Sequence, residues 1–247
     1  MRTESEISSL IKHQVNAHSA DQHPPSSQIL RIVYPDAKKI RSRQVVTRSR
    51  ARSTGKYPSW KMKRMIQWES QNELNAFRLL DCDPTVLAFN EQPCEIFYQM
   101  GGVIQRHYPD ILVKSTDRKT FWEVKPEHNS NKNILVARTT VMSGLRLWGY
   151  EYQVVSSQEL SRQPRLKNCQ TLLHFGARHN PSDSERERLR LLFIRLGEFN
   201  WGEACRGTYG PKGRETICRF VLQGLLSLDT NQEWTTRTVI GAGEVRF

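Results

Sequence analysis

The chain has 247 residues, with 37 Lys or Arg against 25 Asp or Glu and a formal net charge of +12. That length suits one large domain or a medium one with a small companion, and the charge points to a polyanionic partner, most simply nucleic acid. No apolar run is long enough to span a bilayer and no secretory leader is visible, which excludes a membrane protein and predicts a soluble, cytoplasmic one.

Residues 1–35 are polar and include His-Pro-Pro-Ser-Ser at 23–27. A short helix over 7–15 is conceivable there, but little suggests a packed core. Residues 37–65 hold eleven Lys or Arg and no acidic residue. Arg41, Arg43, Arg48, Arg50 and Arg52 alternate with small or polar residues, which suits an extended, solvated arm over 1–51. Clustered cations gain affinity for DNA by releasing counterions from phosphate. Arg48, Arg50, Arg52, Lys56, Lys61, Lys63 and Arg64 are therefore candidate backbone contacts; the bland alternative is a solvated tail. The cysteines (Cys82, Cys94, Cys169, Cys205, Cys218) show no Cys-X-X-Cys pair, so neither a zinc ribbon nor a disulfide framework is expected.

Leu74, Phe77 and Leu80 recur at helical spacing behind Ser70, a suitable N-cap, with Glu73 at the capping-box position. Glu73 has two readings: it closes the cap, or it faces a site. Pro84 ends the helix. Residues 86–90 lead into Glu91-Gln92-Pro93 and a strand over 94–99, and Gly101-Gly102 turns the chain back into the strand carrying Asp110.

Residues 107–126 read as a β-hairpin. Ile111, Leu112 and Val113 form one arm, 120–125 the other, and a charged turn over 115–119 joins them. Side chains alternate, so Glu123 and Lys125 share one face while Trp122 and Val124 take the other. Antiparallel pairing can bring Asp110 beside Glu123. Two carboxylates and a lysine on one face can hold a hard divalent metal, Mg²⁺ by oxygen preference, and a water nucleophile. Taken alone the same residues also suit a surface ion-pair cluster. His107 and His128 flank the hairpin. A lone histidine beside a charged cleft is more often a backbone or phosphate contact, so neither joins the catalytic set.

Residues 131–148 have helical spacing, 151–156 form a strand, and the crossover between them would lay that strand parallel to the Glu123 strand. A further helix over 159–177 completes a mixed sheet flanked by helices. Composition changes after Asn180-Pro-Ser-Asp. Ser184 caps a helix with Leu189, Leu192, Phe193 and Leu196 inside. A short segment at 201–206, a helix over 211–226 and two strands between 226 and 240 follow. Three helices and a β-wing make a winged helix-turn-helix whose recognition face would hold Lys212, Arg214, Thr216 and Arg219. The alternative is a helical protein–protein module.

Pro-Asp followed by Glu-X-Lys is the pattern of the restriction-endonuclease-like nucleases. Glu69-Ser-X-X-Glu73-Leu-X-X-Phe77, Asp83-Pro-X-Val86, Glu91-Gln-Pro93, Tyr108-Pro-Asp110-Ile-Leu-Val and Glu123-Val-Lys-Pro126 together resemble the TnsA endonucleases of heteromeric transposons, over residues 52–174. The resemblance implies a restriction-endonuclease-like catalytic domain over 52–178 and a winged-helix-like domain over 179–247. It implies a Mg²⁺-dependent site, with Mn²⁺ able to substitute. Asp110, Glu123 and Glu73 would bind metal, with Glu69 the second choice for the helical glutamate, and Lys125 would contact the reacting phosphate or water. Gln92 matches a family glutamine to which no firm role is given. The implied activity is cleavage of the 5′ strands of double-stranded DNA at transposon ends, in cut-and-paste transposition. The implied partners are a TnsB-like transposase, which cuts and joins the 3′ strands, and a TnsC-like AAA+ ATPase regulator. Two other functions fit the same residues: a standalone DNA-repair, junction-resolving or phage-associated nuclease of this fold, and a DNA-binding assembly factor with a dead site.

Overall fold

The computed structural model describes residues 27–35, 41–42, 53–126, 139 and 141–245. The expected helix at 7–15 lies outside the described residues, as do Arg43, Arg48, Arg50, Arg52, His128 and all of 131–138. The protein is mixed α/β, with several sheets.

The first strand, β1 (Ser27–Val33), falls inside the segment expected to lack a core. It pairs antiparallel with β5 (Glu95–Met100), which pairs in turn with β6 (Val103–His107), giving a three-stranded sheet in the order β1-β5-β6. Ile29 is buried with Cys94, Ile96, Tyr98, Phe121, Met142 and Leu145. Burial of one isoleucine against a partner seventy residues away gives the strand its place, and a short window of sequence does not contain that partner.

β2 (Gly55–Ser59) and β3 (Arg64–Trp68) form a hairpin within the basic stretch, with Lys63 left-handed at its tip (φ 52°). Helix α1 (Gln71–Cys82) starts at Ser70, whose hydroxyl accepts from the Glu73 amide at 3.2 Å. The hairpin is fastened to the far end of α1. Asp81 is fully buried and accepts hydrogen bonds from the Tyr57 and Ser59 hydroxyls, both at 2.7 Å. Lys61 donates to the carbonyls of Leu80 (2.9 Å) and Asp83 (2.5 Å), where helix-terminal acceptors and the dipole favour a cation.

β4 (Val86–Glu91), β7 (Ile111–Ser115), β8 (Lys119–Lys125) and β9 (Glu151–Ser156) form the main sheet in that order, antiparallel except for the parallel β8–β9 pair. The strand expected to return from Gly101-Gly102 straight to Asp110 is split in two. β6 stays in the three-stranded sheet, and after His107 the chain passes through Tyr108-Pro109-Asp110 into the main sheet. Pro109 has no N–H to give to a ladder, which suits the point where one sheet is left for another. Between β8 and β9 the described part of the expected helix is residues 139 and 141–143, followed by a 3₁₀ turn, Gly144–Trp148.

The helix expected over 159–177 is three pieces: α2 (Ser157–Ser161), α3 (Arg165–Leu172) and a π-helical turn, Leu173–Ala177. Pro164 sits at the break between the first two, where a missing N–H and restricted backbone interrupt the helical ladder. Helix α4 (Asp183–Leu196) begins at Ser182, two residues earlier than expected, because Ser182 and Glu185 make a complete capping box. β10 (Phe199–Asn200), α5 (Trp201–Cys205), α6 (Gly213–Leu222), β11 (Leu226–Ser227) and β12 (Val239–Ala242) follow, with β12 between β10 and β11. α6 stops earlier than 226 because the chain turns left-handed at Gly224 (φ 75°).

Residues 179–245 do not form a separate core. Leu189, Phe199, Ile217, Phe220 and Ile240 belong to the same buried cluster as Ile66, Phe77, Phe89 and Ile111. The π turn presses against α6: a methyl group on Gly176 would lie 2.7 Å from the Cys218 carbonyl carbon. Among the described residues no helix is long and apolar enough to cross a membrane.

Candidate metal and phosphate site

The β7–β8 hairpin builds the site. Its register pairs Ile111 with Trp122 and Leu112 with Phe121, so Asp110, one residue before β7, comes up beside Glu123. Asp110 is clamped by the backbone. Its N–H donates to the Trp122 carbonyl (3.1 Å), its carbonyl accepts from the Gln92 N–H (2.8 Å), and its Oδ2 accepts from the Val124 N–H (2.7 Å). Trp122 and Val124 turn toward the core shared with α1, while Phe121 turns to the cluster under the three-stranded sheet. Glu123 and Lys125 lie on the Phe121 side by alternation.

Glu123 is 3 % exposed, and its two oxygens face different basic side chains. Oε1 is 2.5 Å from the Lys125 ammonium and Oε2 is 3.1 Å from the His107 Nε2. The same Nε2 is hydrogen-bonded to the Tyr152 hydroxyl at 3.2 Å, so its approach to the Glu123 Oε2 is a close contact without hydrogen-bond alignment. Burial pushes the Glu123 carboxyl up, but the contacts with His107 and Lys125 outweigh it and hold it below its ordinary value. Asp110 goes the other way. Burial, then the neighbouring Glu123 charge, raise it to about 8; the Val124 N–H works against them, and Glu73 adds a further upward push. Glu73 is thus within electrostatic reach of Asp110, and it also closes the helix cap: its Oε2 accepts from the Glu69 N–H at 2.8 Å.

Asp110, Glu123, Lys125 and Glu73 therefore share one neighbourhood, and His107, left out at the level of sequence, joins them. Nothing in the local pattern around His107 signals this, because its contacts come from β8 and β9. Among the described residues no three His, Cys, Asp or Glu side chains are grouped closely enough to hold an ion. Glu123 is turned to Lys125 and His107, and Glu73 to its own cap. The carboxylate oxygens are nevertheless donors of the kind a hard cation takes, and burial first, then the Glu123 charge, holds Asp110 toward its protonated form near neutral pH.

Several of the candidate DNA contacts are committed to the fold. Arg64 grips Glu91 with both terminal nitrogens (2.9 and 2.6 Å), and the Arg41 Nε is 3.5 Å from the same carboxylate. Lys61 caps α1 as described. Arg219 is 9 % exposed and gives its donors to the carbonyls of His179 (2.7 Å) and Ala177 (3.0 Å). Thr216 is fully buried, and Arg214 lies 3.7 Å over the Phe175 ring. The expected recognition face of α6 is thus mostly covered, because the helix is wedged against the π turn. Lys56, Lys63 and Lys212 are exposed.

The loop before β5 ties the basic stretch to the site. Gln92 is buried with a left-handed backbone (φ 45°), and its carbonyl accepts from the Ser42 N–H at 3.0 Å while its own N–H holds the Asp110 carbonyl. No protein-family model matches this chain, and no curated protein shows significant similarity to it.

Proposed function

We propose that the chain is a metal-dependent DNA endonuclease of restriction-endonuclease-like architecture. The observation that carries this reading is the hairpin register that puts Asp110 beside Glu123, with Lys125 against the same carboxylate. Asp110 and Glu123, completed by Glu73, are the residues that would hold the ion. A divalent ion held by them would polarise the phosphate and lower the pKa of a bound water. Lys125, at 30 % exposure, neutralises charge on the reacting phosphate or orients the attacking water. The net charge of +12 draws the polyanion in, and the described end of the basic stretch, Arg41-Ser42, is fixed on Glu91-Gln92 directly behind Asp110.

Residues 179–245 run helix, strand, helix, helix, strand, strand, with β11 and β12 paired. That order supports a winged-helix unit. With α6 packed inward, groove reading by α6 is not part of the proposal. The TnsA resemblance carries the reading further, to nicking of the 5′ strands at transposon ends alongside a TnsB-like transposase and a TnsC-like regulator.

The test is cleavage of an end-labelled transposon-end duplex in Mg²⁺ or Mn²⁺, with and without those partners. The expected result is metal-dependent cleavage that Asp110→Asn abolishes. Cleavage only without partners favours a standalone nuclease. No cleavage and no Asp110-dependent metal binding leaves a DNA-binding assembly factor.

A further inference from the structure

His107 is the last residue of β6, the point where the chain leaves the three-stranded sheet to deliver Asp110 to the main one. Its side chain is 6 % exposed. Its Nε2 meets Glu123 of β8 at 3.1 Å and Tyr152 of β9 at 3.2 Å, and its ring packs edge-on to Tyr152 with centroids 5.9 Å apart. Three strands from two sheets thus converge on one imidazole. The parallel β8–β9 register, with Phe121 opposite Tyr152, puts that tyrosine on the strand beside Glu123. The following residue is pinned as well: the Tyr108 hydroxyl donates to Glu95 at 2.7 Å.

We propose that His107 is a positioning residue of the acidic site, holding Glu123 in the orientation from which it and Asp110 can share one divalent cation. This rests on the nuclease reading above. Lys125 approaches one carboxylate oxygen on a long flexible stem and cannot by itself fix the rotation of the carboxylate. His107 is a short, buried, packed ring on the other oxygen and can. A carboxylate oxygen has lone pairs to spare, so Glu123 can keep the imidazole contact and still face a cation. Hydrogen-bonded partners of ligating groups set ligand orientation, and their loss typically costs 10–100-fold in metal affinity. A histidine that merely filled the seam between the sheets would change stability and leave the metal untouched.

The experiment measures Mn²⁺ binding to the full chain by titration calorimetry, with thermal melting alongside, for wild type, Asp110→Asn, His107→Leu, His107→Asn and His107→Gln. Glutamine places an amide nitrogen near the position of Nε2; asparagine reaches only as far as Nδ1, and leucine has no donor. The expected result is Mn²⁺ binding about 10–100-fold weaker in His107→Leu and His107→Asn, with most of it restored in His107→Gln. If His107→Leu does not fold, the contrast between asparagine and glutamine decides alone. Wild-type affinity in the leucine or asparagine variant overturns the inference, as does a glutamine variant no better than asparagine. In those cases Asp110→Asn still abolishes binding and the nuclease reading stands. Wild-type protein with no Asp110-dependent Mn²⁺ binding overturns both.

Discussion

Arg64→Ala separates a cation that holds the fold from one that holds DNA. Glu91 is 1 % exposed and sits between the two nitrogens of Arg64 at 2.9 and 2.6 Å; Arg41 at 3.5 Å and the Gln67 N–H at 3.4 Å are its remaining partners. Removing one partner of a buried ion pair costs about 3–5 kcal/mol, because the surviving charge is left uncompensated. Here Arg41 stays, and the Arg64 side chain is 21 % exposed, so about 2–3 kcal/mol is expected. For a chain of this length that lowers Tm by roughly 4–12 °C. Differential scanning calorimetry of Arg64→Ala, Glu91→Gln and the double variant reads it. The double variant should melt above Arg64→Ala, since neutralising Glu91 removes the stranded charge. An exposed phosphate contact would behave otherwise, with stability unchanged within about 0.5 kcal/mol and DNA affinity reduced. A Tm shift under about 2 °C for Arg64→Ala would refute the structural assignment.

Asp110 gives a pH dependence of definite sign. Its folded value, about 8, lies above its ordinary 3.8, so from about pH 4 to 8 the folded state keeps a proton that the unfolded state has released. Its stabilisation is complete below that window and lost as pH rises through it. In metal-free buffer the wild-type Tm should therefore fall from pH 5 to 8.5 more steeply than that of Asp110→Asn, and equal slopes would contradict this. Gly176→Ala should cost about 1–3 kcal/mol and loosen residues 179–245, because the new Cβ meets the Cys218 carbonyl carbon at 2.7 Å and the Arg219 nitrogen at 2.8 Å, both backbone atoms; calorimetry with limited proteolysis checks it. Lys125→Ala should lower single-turnover cleavage by about 10²–10³-fold, and because it takes a cation 2.5 Å from the buried Glu123 carboxylate it should lower Tm as well.

The hairpin around Asp110 and the start of α1 were legible because their determinants are local. Alternation over 119–125, a polar turn, and a Ser70 cap with Glu73 three residues on need no distant partner. β1 and the β2–β3 hairpin were hidden for the opposite reason. Ile29 finds its core against β5, and the charges of Lys61 and Arg64, which look solvated in sequence, are taken up by helix-end carbonyls and by Glu91. His107 entered the site only when two sheets were brought together. α6 was legible as a helix, but not as one that turns Thr216 and Arg219 inward, because the surface covering it is the π turn at 173–177.

For the proposed reading the most direct measurement is strand mapping at a transposon-end duplex in Mg²⁺, with a TnsB-like transposase and a TnsC-like regulator added, comparing wild type with Asp110→Ala. The expected result is loss of the 5′-strand breaks with 3′ joining retained. Unchanged 5′ breaks in Asp110→Ala would place the nuclease elsewhere and contradict the assignment of Asp110, Glu123, Lys125 and Glu73 to the site.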